Sequence, residues 1–223
     1  MKKNNLALFD LDDTLFDGDT EGEWVKYMDQ AGLIQDPEFF NEMESFGKSY
    51  RQGDLNVDEY SEFLLSPLVG KNLKELEDEI DIFTSDVIDR LTDELTEELL
   101  LKHRDDTKIL TSGSLTFLVK VIGQKMGIET CFGTDPEYKD NVFTGKVEGS
   151  PNFSEEKVRR IKIWMQSNHF EKIFAYSDSI HDLPLLEFSD IPSAISPDKK
   201  LLKVAEERKW MVEGRRNTTR SLP

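Results

Sequence analysis

Cysteine is all but missing from this chain of 223 residues: Cys131 stands alone. An intrachain disulfide and a thiolate metal cluster are thereby excluded, and Cys131 is expected to be a half-buried structural thiol. Histidine is scarce too. His103, His169 and His181 share no metal-ligand spacing, and His103 and His169 are expected at the surface. Long apolar runs are absent. Leu6-Ala7-Leu8-Phe9, just behind Met1 to Asn5, is too short for a secretory signal or a membrane span. With no targeting or spanning segment in view, a cytoplasmic protein is expected. Positive charge is in deficit: Lys and Arg number 28 against 45 Asp and Glu, a net charge of −17. Such a balance argues against nucleic acid as a partner, since binding it needs a basic surface to displace counterions. It argues equally against docking on anionic lipid. The simplest meaning of the acidity is a solvated, self-repelling surface. No internal repeat or low-complexity tract interrupts the chain.

What is present suffices for a core. Apolar residues make up 37% and aromatic residues 10%, enough for one large domain or for a core domain with a smaller insert. Leu6 to Phe9 ends abruptly in Asp10, Asp12 and Asp13, which reads as a buried parallel strand with polar groups at its carboxyl end. From about Thr20 to Lys102 the pattern is helical. Its clearest stripe is Leu73, Leu76, Ile80, Phe83, Val87, Leu91, Leu95 and Leu99, in steps of three and four. Lys108-Ile109-Leu110 reads as a second strand, ending at the strand-to-helix turn Thr111-Ser112-Gly113-Ser114; Leu115 to Met126 then has helical spacing. Asp135 to Glu148 reads as a hairpin with Asn141 in its turn. Ser154 is placed to cap a helix carrying Val158, Ile161 and Met165. Lys172 to Tyr176 is a third core strand, with short strands expected at Ser193 to Ile195 and Trp210 to Val212, and a polar, fraying tail from Arg215 to Pro223. Strands alternating with helices predict an α/β fold: a Rossmann-like open parallel sheet with a helical insertion after the first strand. In such sheets ligands sit at the carboxyl ends of strands, where Asp10, Thr111 and Asp178 all fall.

Asp10 and Asp12 are two apart, so an extended chain points both the same way. Two close carboxylates repel, which drives one toward protonation or draws in a cation. One can attack phosphorus, while a protonated neighbour donates to a leaving alkoxide. A solvated acidic turn is the plainer alternative, but acidic turns seldom follow a buried strand so abruptly. Asp178 and Asp182, four apart in Ser177-Asp178-Ser179-Ile180-His181-Asp182, suit a hard cation such as magnesium. They equally suit an acid-rich helix start. Thr111-Ser112-Gly113-Ser114, with Thr111 and Ser112 foremost, offer hydroxyls and N–H groups to a phosphate, or an ordinary helix cap. Lys157, in the first turn of its helix, is disfavoured by the helix dipole unless an anion sits beside it; as a lone residue it is equally a surface lysine.

Together these clusters resemble the haloacid dehalogenase-like superfamily of aspartate-nucleophile phosphatases. Asp10-Leu11-Asp12-Asp13-Thr14 is similar to its first motif, Thr111 to its second, Lys157 to its third and Asp178-Ser179-Ile180-His181-Asp182 to its fourth. The order holds over nearly the whole chain. The insert is similar to the cap of the phosphoserine phosphatase-like branch. Phe16-Asp17-Gly18-Asp19 and Asp135-Pro136-Glu137-Tyr138 resemble the histidinol-phosphate phosphatase and phosphoserine phosphatase subgroup. The resemblance implies a catalytic core of residues 1–18 and 103–223 with a helical cap of 19–102. It implies Asp10 as nucleophile and Asp12 as general acid and base. Thr111, Ser112 and Lys157 would hold phosphate, and Asp10, the Asp12 carbonyl, Asp178 and Asp182 would hold or support Mg2+. Asp19 matches the position of a substrate-binding acid, and Arg51 is a candidate partner for a substrate carboxylate. The family usually carries Asn where this chain has His181. The implied activity is hydrolysis of a small-molecule phosphate ester. Binding of a phosphometabolite with weak catalysis, or phosphotransfer to another alcohol, are the alternatives. Oligomeric state is not legible in one sequence.

Overall fold

Leu6 to Phe9 form the middle of a sheet in the computed structural model, which describes residues 4–166 and 168–215. The strands are β1 (Asn5–Phe9), β2 (Thr107–Leu115), β3 (Thr130–Thr134), β4 (Pro136–Lys139), β5 (Val142–Val147), β6 (Lys172–Ser177), β7 (Ile191–Ile195) and β8 (Met211–Glu213). The helices are α1 (Thr20–Gln30), α2 (Phe39–Gln52), α3 (Val57–Leu65), α4 (Glu77–Leu91), α5 (Glu94–Lys102), α6 (Thr116–Lys125), α7 (Glu155–Met165), α8 (Leu183–Phe188) and α9 (Lys199–Arg208). The main sheet has the order β3-β2-β1-β6-β7-β8, with every pairing parallel. From β1 the chain works outward through β2 and β3, then returns to the other side of β1 for β6, β7 and β8. The strand order therefore reverses between β1 and β6, and the carboxyl ends of these two strands border the crevice where such sheets take ligands.

Both faces of the sheet are covered, which explains an unbroken apolar strand rather than an alternating one. Ala7 and Phe9 of β1 join Leu110 and Tyr176 in a core with Trp24, Phe83, Leu99, Leu118 and Ile122 of the helices on that side. Leu6 and Leu8 face the other way with Ile109 and Ala175, against Val158 and Ile161 of α7, Leu185 and Leu186 of α8 and Leu201 of α9. Each large side chain buried this way contributes roughly 1.5–3 kcal/mol. β4 and β5 form the expected hairpin, with Asp140 and Asn141 both at positive φ in its turn, the geometry that twists with the strands. The hairpin packs against α3. No helix among the described residues is long and apolar enough to cross a membrane.

Several local expectations change. The long stripe from Leu73 to Leu99 is split among a single 3-10 turn, α4 and α5. Asp93 interrupts it as the N-cap of α5: its Oδ1 accepts the Thr96 N–H at 2.9 Å, and the Thr96 hydroxyl donates to the Leu15 carbonyl at 2.6 Å. Thr111 to Ser114 is a continuation of β2 rather than a turn; pairing with β3 slips between Thr111 and Leu115, so extra residues bulge from the strand. Ser154 occupies the N-cap of α7 but makes no side-chain cap bond, because its backbone turns to φ 50°. His103 is buried, not superficial. Its Nδ1 pairs with Asp106 at 2.8 Å and its Nε2 with the Tyr176 hydroxyl at 2.7 Å, as satisfaction of a buried ring requires. Arg215, expected to fray, has a side chain only 2% exposed; it meets the Thr14 carbonyl, Asp93 and Asp17. The rest of the expected tail, 216–223, lies outside the described residues.

Candidate active site

The end of β1 sets the centre. Asp10 donates its N–H to the Tyr176 carbonyl at 3.1 Å, extending the β1–β6 ladder by one residue and fixing the start of the next turn. Leu11 to Leu15 then wind tightly, with Asp13 at φ 52°, a left-handed conformation that Asp tolerates better than most residues. This turn brings Thr14 back to the strand ends. Its hydroxyl reaches Asp10 Oδ2 at 3.0 Å and Asp178 Oδ1 at 3.1 Å, and it accepts the Asp178 N–H at 2.9 Å. Asp178, directly after β6, is thereby tied to Asp10 across 168 residues of sequence.

Lys157 enters from the first turn of α7 and is 4% exposed. Its Nζ lies 2.8 Å from Asp10 Oδ1 and 2.8 Å from Asp182 Oδ2, which also accepts from the Ser177 hydroxyl at 2.8 Å. Asp12 turns toward the β2 end. Its Oδ1 accepts the Thr20 N–H at 2.6 Å, and its Oδ2 accepts the Ser112 and Ser114 hydroxyls at 3.1 and 3.0 Å. Asp19 caps α1 through the N–H groups of Glu21 and Gly22.

A cavity of about 370 Å³ opens onto these groups. Asp10, Asp12, Asp19, Lys157, Asp178 and Asp182 all line it, so six of the residues singled out in the sequence converge. Three do not. Arg51 is exposed on α2 and stays outside the lining. Thr111 is fully buried, its Oγ1 accepting from Asn152 Nδ2 at 3.0 Å, and Ser112 is spent on Asp12. The bulge in β2 presents Gly113 and Ser114 to the cavity in their place. Met43, Phe46 and Tyr50 of α2 and Tyr60 and Ser61 of α3 form the opposite wall. His181 also lines the cavity, between Tyr50 (5.3 Å) and Phe153 (5.0 Å). Ser114 belongs to the turn singled out for phosphate, whereas Thr14, Glu21 and Tyr60 were not foreseen. The Thr14 position within the first motif was a usable signal; Glu21 and Tyr60 meet only because α1 packs near α3.

The electrostatics follow from burying several acids around one cation. Burial pushes the Asp10 carboxyl up to about 7, against the pull of Lys157 and with a push from Asp182 and Asp12. Burial and Asp19 raise Asp12 to about 6, although the Thr20 and Ser114 donors oppose this. Asp178 is raised well above the usual range by burial, then by Asp10 and Asp13. Burial works against the charge on Lys157, but Asp10 and Asp182 more than offset it and hold the ammonium protonated. Burial lowers the His181 pKa, favouring its neutral ring.

An all-oxygen pair, Asp10 and Asp178, both held above the carboxylate range first by burial and then by neighbouring acids, fits a hard divalent cation. Among the described residues no group of three His, Cys, Asp or Glu side chains is set to hold a metal.

The sequence matches the model of the haloacid dehalogenase-like hydrolase family over residues 7–187. It is 32% identical to a histidinol-phosphatase of Neisseria meningitidis serogroup C, across 93% of this chain and 97% of that protein. It is 26% identical to a phosphoserine phosphatase of Methanocaldococcus jannaschii, across 91% and 90% of the two chains. A solved protein of unknown function from Bordetella pertussis superposes with a TM-score of 0.86 at 30% identity, covering 95% of this chain and 98% of that one.

Proposed function

The chain belongs to the haloacid dehalogenase-like hydrolases as a phosphatase, and from that premise we propose that it is a magnesium-dependent phosphomonoesterase working through an aspartyl-phosphate on Asp10. The observation that carries this reading is the contact of Lys157 Nζ with Asp10 Oδ1 at 2.8 Å beside Asp178, at the reversal of strand order. The substrate is a small phosphate ester of the phosphoserine or histidinol-phosphate kind, in keeping with the relatives' activities and a cavity of about 370 Å³.

The Asp10 carboxylate attacks phosphorus as the bond to the leaving oxygen breaks. Asp12, lifted to about 6 by burial and Asp19, keeps a protonated fraction near neutral pH, and that form gives its proton to the departing alkoxide. The resulting Asp12 carboxylate takes a proton from water, which attacks the aspartyl-phosphate, releases orthophosphate and restores Asp10. Lys157 supplies a fixed positive charge to the phosphoryl oxygens, and Gly113 and Ser114 line the same space, the Ser114 hydroxyl being held on Asp12. Asp10 and Asp178, with the Asp12 carbonyl, would hold the magnesium ion, Asp182 supporting through Lys157, and the ion would supply positive charge to the transferring phosphoryl group. Residues 19–102 act as the cap on a core of 1–18 and 103–223, since α2 and α3 wall the cavity opposite Asp10.

The test is release of phosphate from p-nitrophenyl phosphate by purified protein with magnesium. Asp10→Asn removes the nucleophile and is expected to abolish it; retained turnover in that variant refutes the mechanism. Binding of esters without release would favour a phosphometabolite-binding role, and transfer of label to an added alcohol would favour phosphotransfer.

A further inference from the structure

One side of the cavity holds two acids with no cation of its own. Asp19 and Glu21 line it from the first turn of α1. Tyr60 reaches across from α3, its hydroxyl donating to Glu21 Oε2 at 3.0 Å, which fixes that carboxylate against the aromatic wall. Phe46 packs on Tyr60, with ring centroids 5.5 Å apart. Among the described residues, Lys157 is the sole lysine or arginine in the lining, and it is engaged by Asp10 and Asp182. Arg51, the candidate for a substrate carboxylate, lies outside.

We propose that Glu21, oriented by Tyr60, is a specificity-determining residue, and that with Asp19 it selects phosphate esters whose leaving alcohol carries a positively charged nitrogen and no carboxylate. The proposal rests on the phosphatase reading and deepens it. A carboxylate in this part of the cavity would meet the acids Asp19 and Glu21 and no guanidinium or ammonium, a mismatch that excludes a substrate more sharply than a missing contact does. An ammonium or imidazolium would instead supply the missing countercharge and lie against the Tyr60 and Phe46 rings. The ligand-free state supports this. Burial, with Asp19 and Asp12 nearby, pushes the Glu21 carboxyl up to about 8, a strain that a bound cation relieves. Phosphoserine, which bears both an ammonium and a carboxylate, is disfavoured. Histidinol phosphate and O-phosphoethanolamine, which bear cationic nitrogen alone, are favoured.

The experiment compares kcat/KM for O-phosphoethanolamine, L-histidinol phosphate and O-phospho-L-serine, each as a ratio to p-nitrophenyl phosphate, in the wild type, Glu21→Gln and Tyr60→Phe. The wild type is expected to prefer both carboxylate-free esters to phosphoserine by at least about tenfold. Glu21→Gln should lower the ratio for those two esters by about tenfold or more, and Tyr60→Phe by a few-fold. Equal or better use of phosphoserine overturns the proposal, as does a ratio unmoved in Glu21→Gln. Calorimetry separates this outcome from failure of the phosphatase reading. L-Histidinol should bind the wild type at least about tenfold more tightly than L-serine does, and lose that advantage in Glu21→Gln, whether or not any ester is hydrolysed. No preference between the two alcohols overturns the proposal independently of catalysis.

Discussion

Replacing Arg215 with methionine keeps an apolar stem and removes a guanidinium whose side chain is 2% exposed. Three acceptors lose a partner: the Thr14 carbonyl, Asp93 and Asp17. The carboxylates retain 31% and 35% exposure, and their ion contacts are poorly angled for hydrogen bonding, so water replaces the guanidinium there at small cost. The Thr14 carbonyl lies in the part-buried turn behind the nucleophile, where an orphaned acceptor costs about 1–3 kcal/mol. A total of about 2–3 kcal/mol is expected, or about 4–12 °C in Tm for a chain of this size. Thermal and urea unfolding at fixed magnesium measure it. A pH series adds a signed check. Burial opposes ionisation of Asp93, but the Arg215 guanidinium and the Thr96 N–H hold its pKa below the ordinary value. A depressed carboxylate pKa gives stability that is complete above the unfolded value of about 3.9 and disappears as pH falls through the lower folded value. The deficit of Arg215→Met relative to wild type is therefore largest near neutral pH and shrinks below about pH 4, leaving the pH-independent Thr14 part. Because Thr14 reaches both Asp10 and Asp178, kcat should also fall, by about tenfold. A Tm change under about 1 °C at neutral pH, or a deficit that grows on acidification, refutes the reasoning.

Three further outcomes are expected. Tyr176→Phe strips the hydroxyl 2.7 Å from His103 Nε2 and strands a buried ring nitrogen, lowering stability by about 1–3 kcal/mol in urea titrations; an unchanged midpoint would count against the His103 network. Magnesium at about one hundred times its Kd should stabilise the wild type by about 2.7 kcal/mol, and Asp178→Asn should lose most of that gain; an equal shift in both proteins places the ion elsewhere. The ratio of kcat/KM for O-phosphoethanolamine to that for p-nitrophenyl phosphate should climb as pH rises toward and past about 8, because Glu21 gains its charge over that range; the climb should vanish in Glu21→Gln, and a ratio flat with pH in the wild type would contradict the role given to that carboxylate.

Much of the fold was legible because its signals are local. A run of four apolar residues ending in acids identifies β1 whatever surrounds it, and the Asp140-Asn141 turn identifies the hairpin. The motif order placed Asp10, Lys157, Asp178 and Asp182 on one cavity, as the structure has them. Thr111 and Ser112 misled because a strand end and a bulge look alike in sequence; only the slipped pairing with β3 shows that Gly113 and Ser114 reach the cavity. Asp93 breaks the long apolar stripe through a local capping box with Thr96, and the further bond from the Thr96 hydroxyl to the Leu15 carbonyl ties that break to a turn far back in the chain.

The sequence by itself settled the α/β class, the covered central strand, the acidic balance and the spacing of the carboxylates in the first and fourth motifs. Each of these is written in neighbouring residues, through alternation, charge and the spacing of apolar positions. Tertiary structure alone decided that Lys157 bridges Asp10 and Asp182, that Arg215 braces the turn behind Asp10, that Glu21 finds Tyr60, and that Arg51 stays outside. The partners in each of those pairs are brought together by the packing of helices on the two faces of the sheet. Side-chain reach across such distances is fixed by packing and has no local pattern to reveal it.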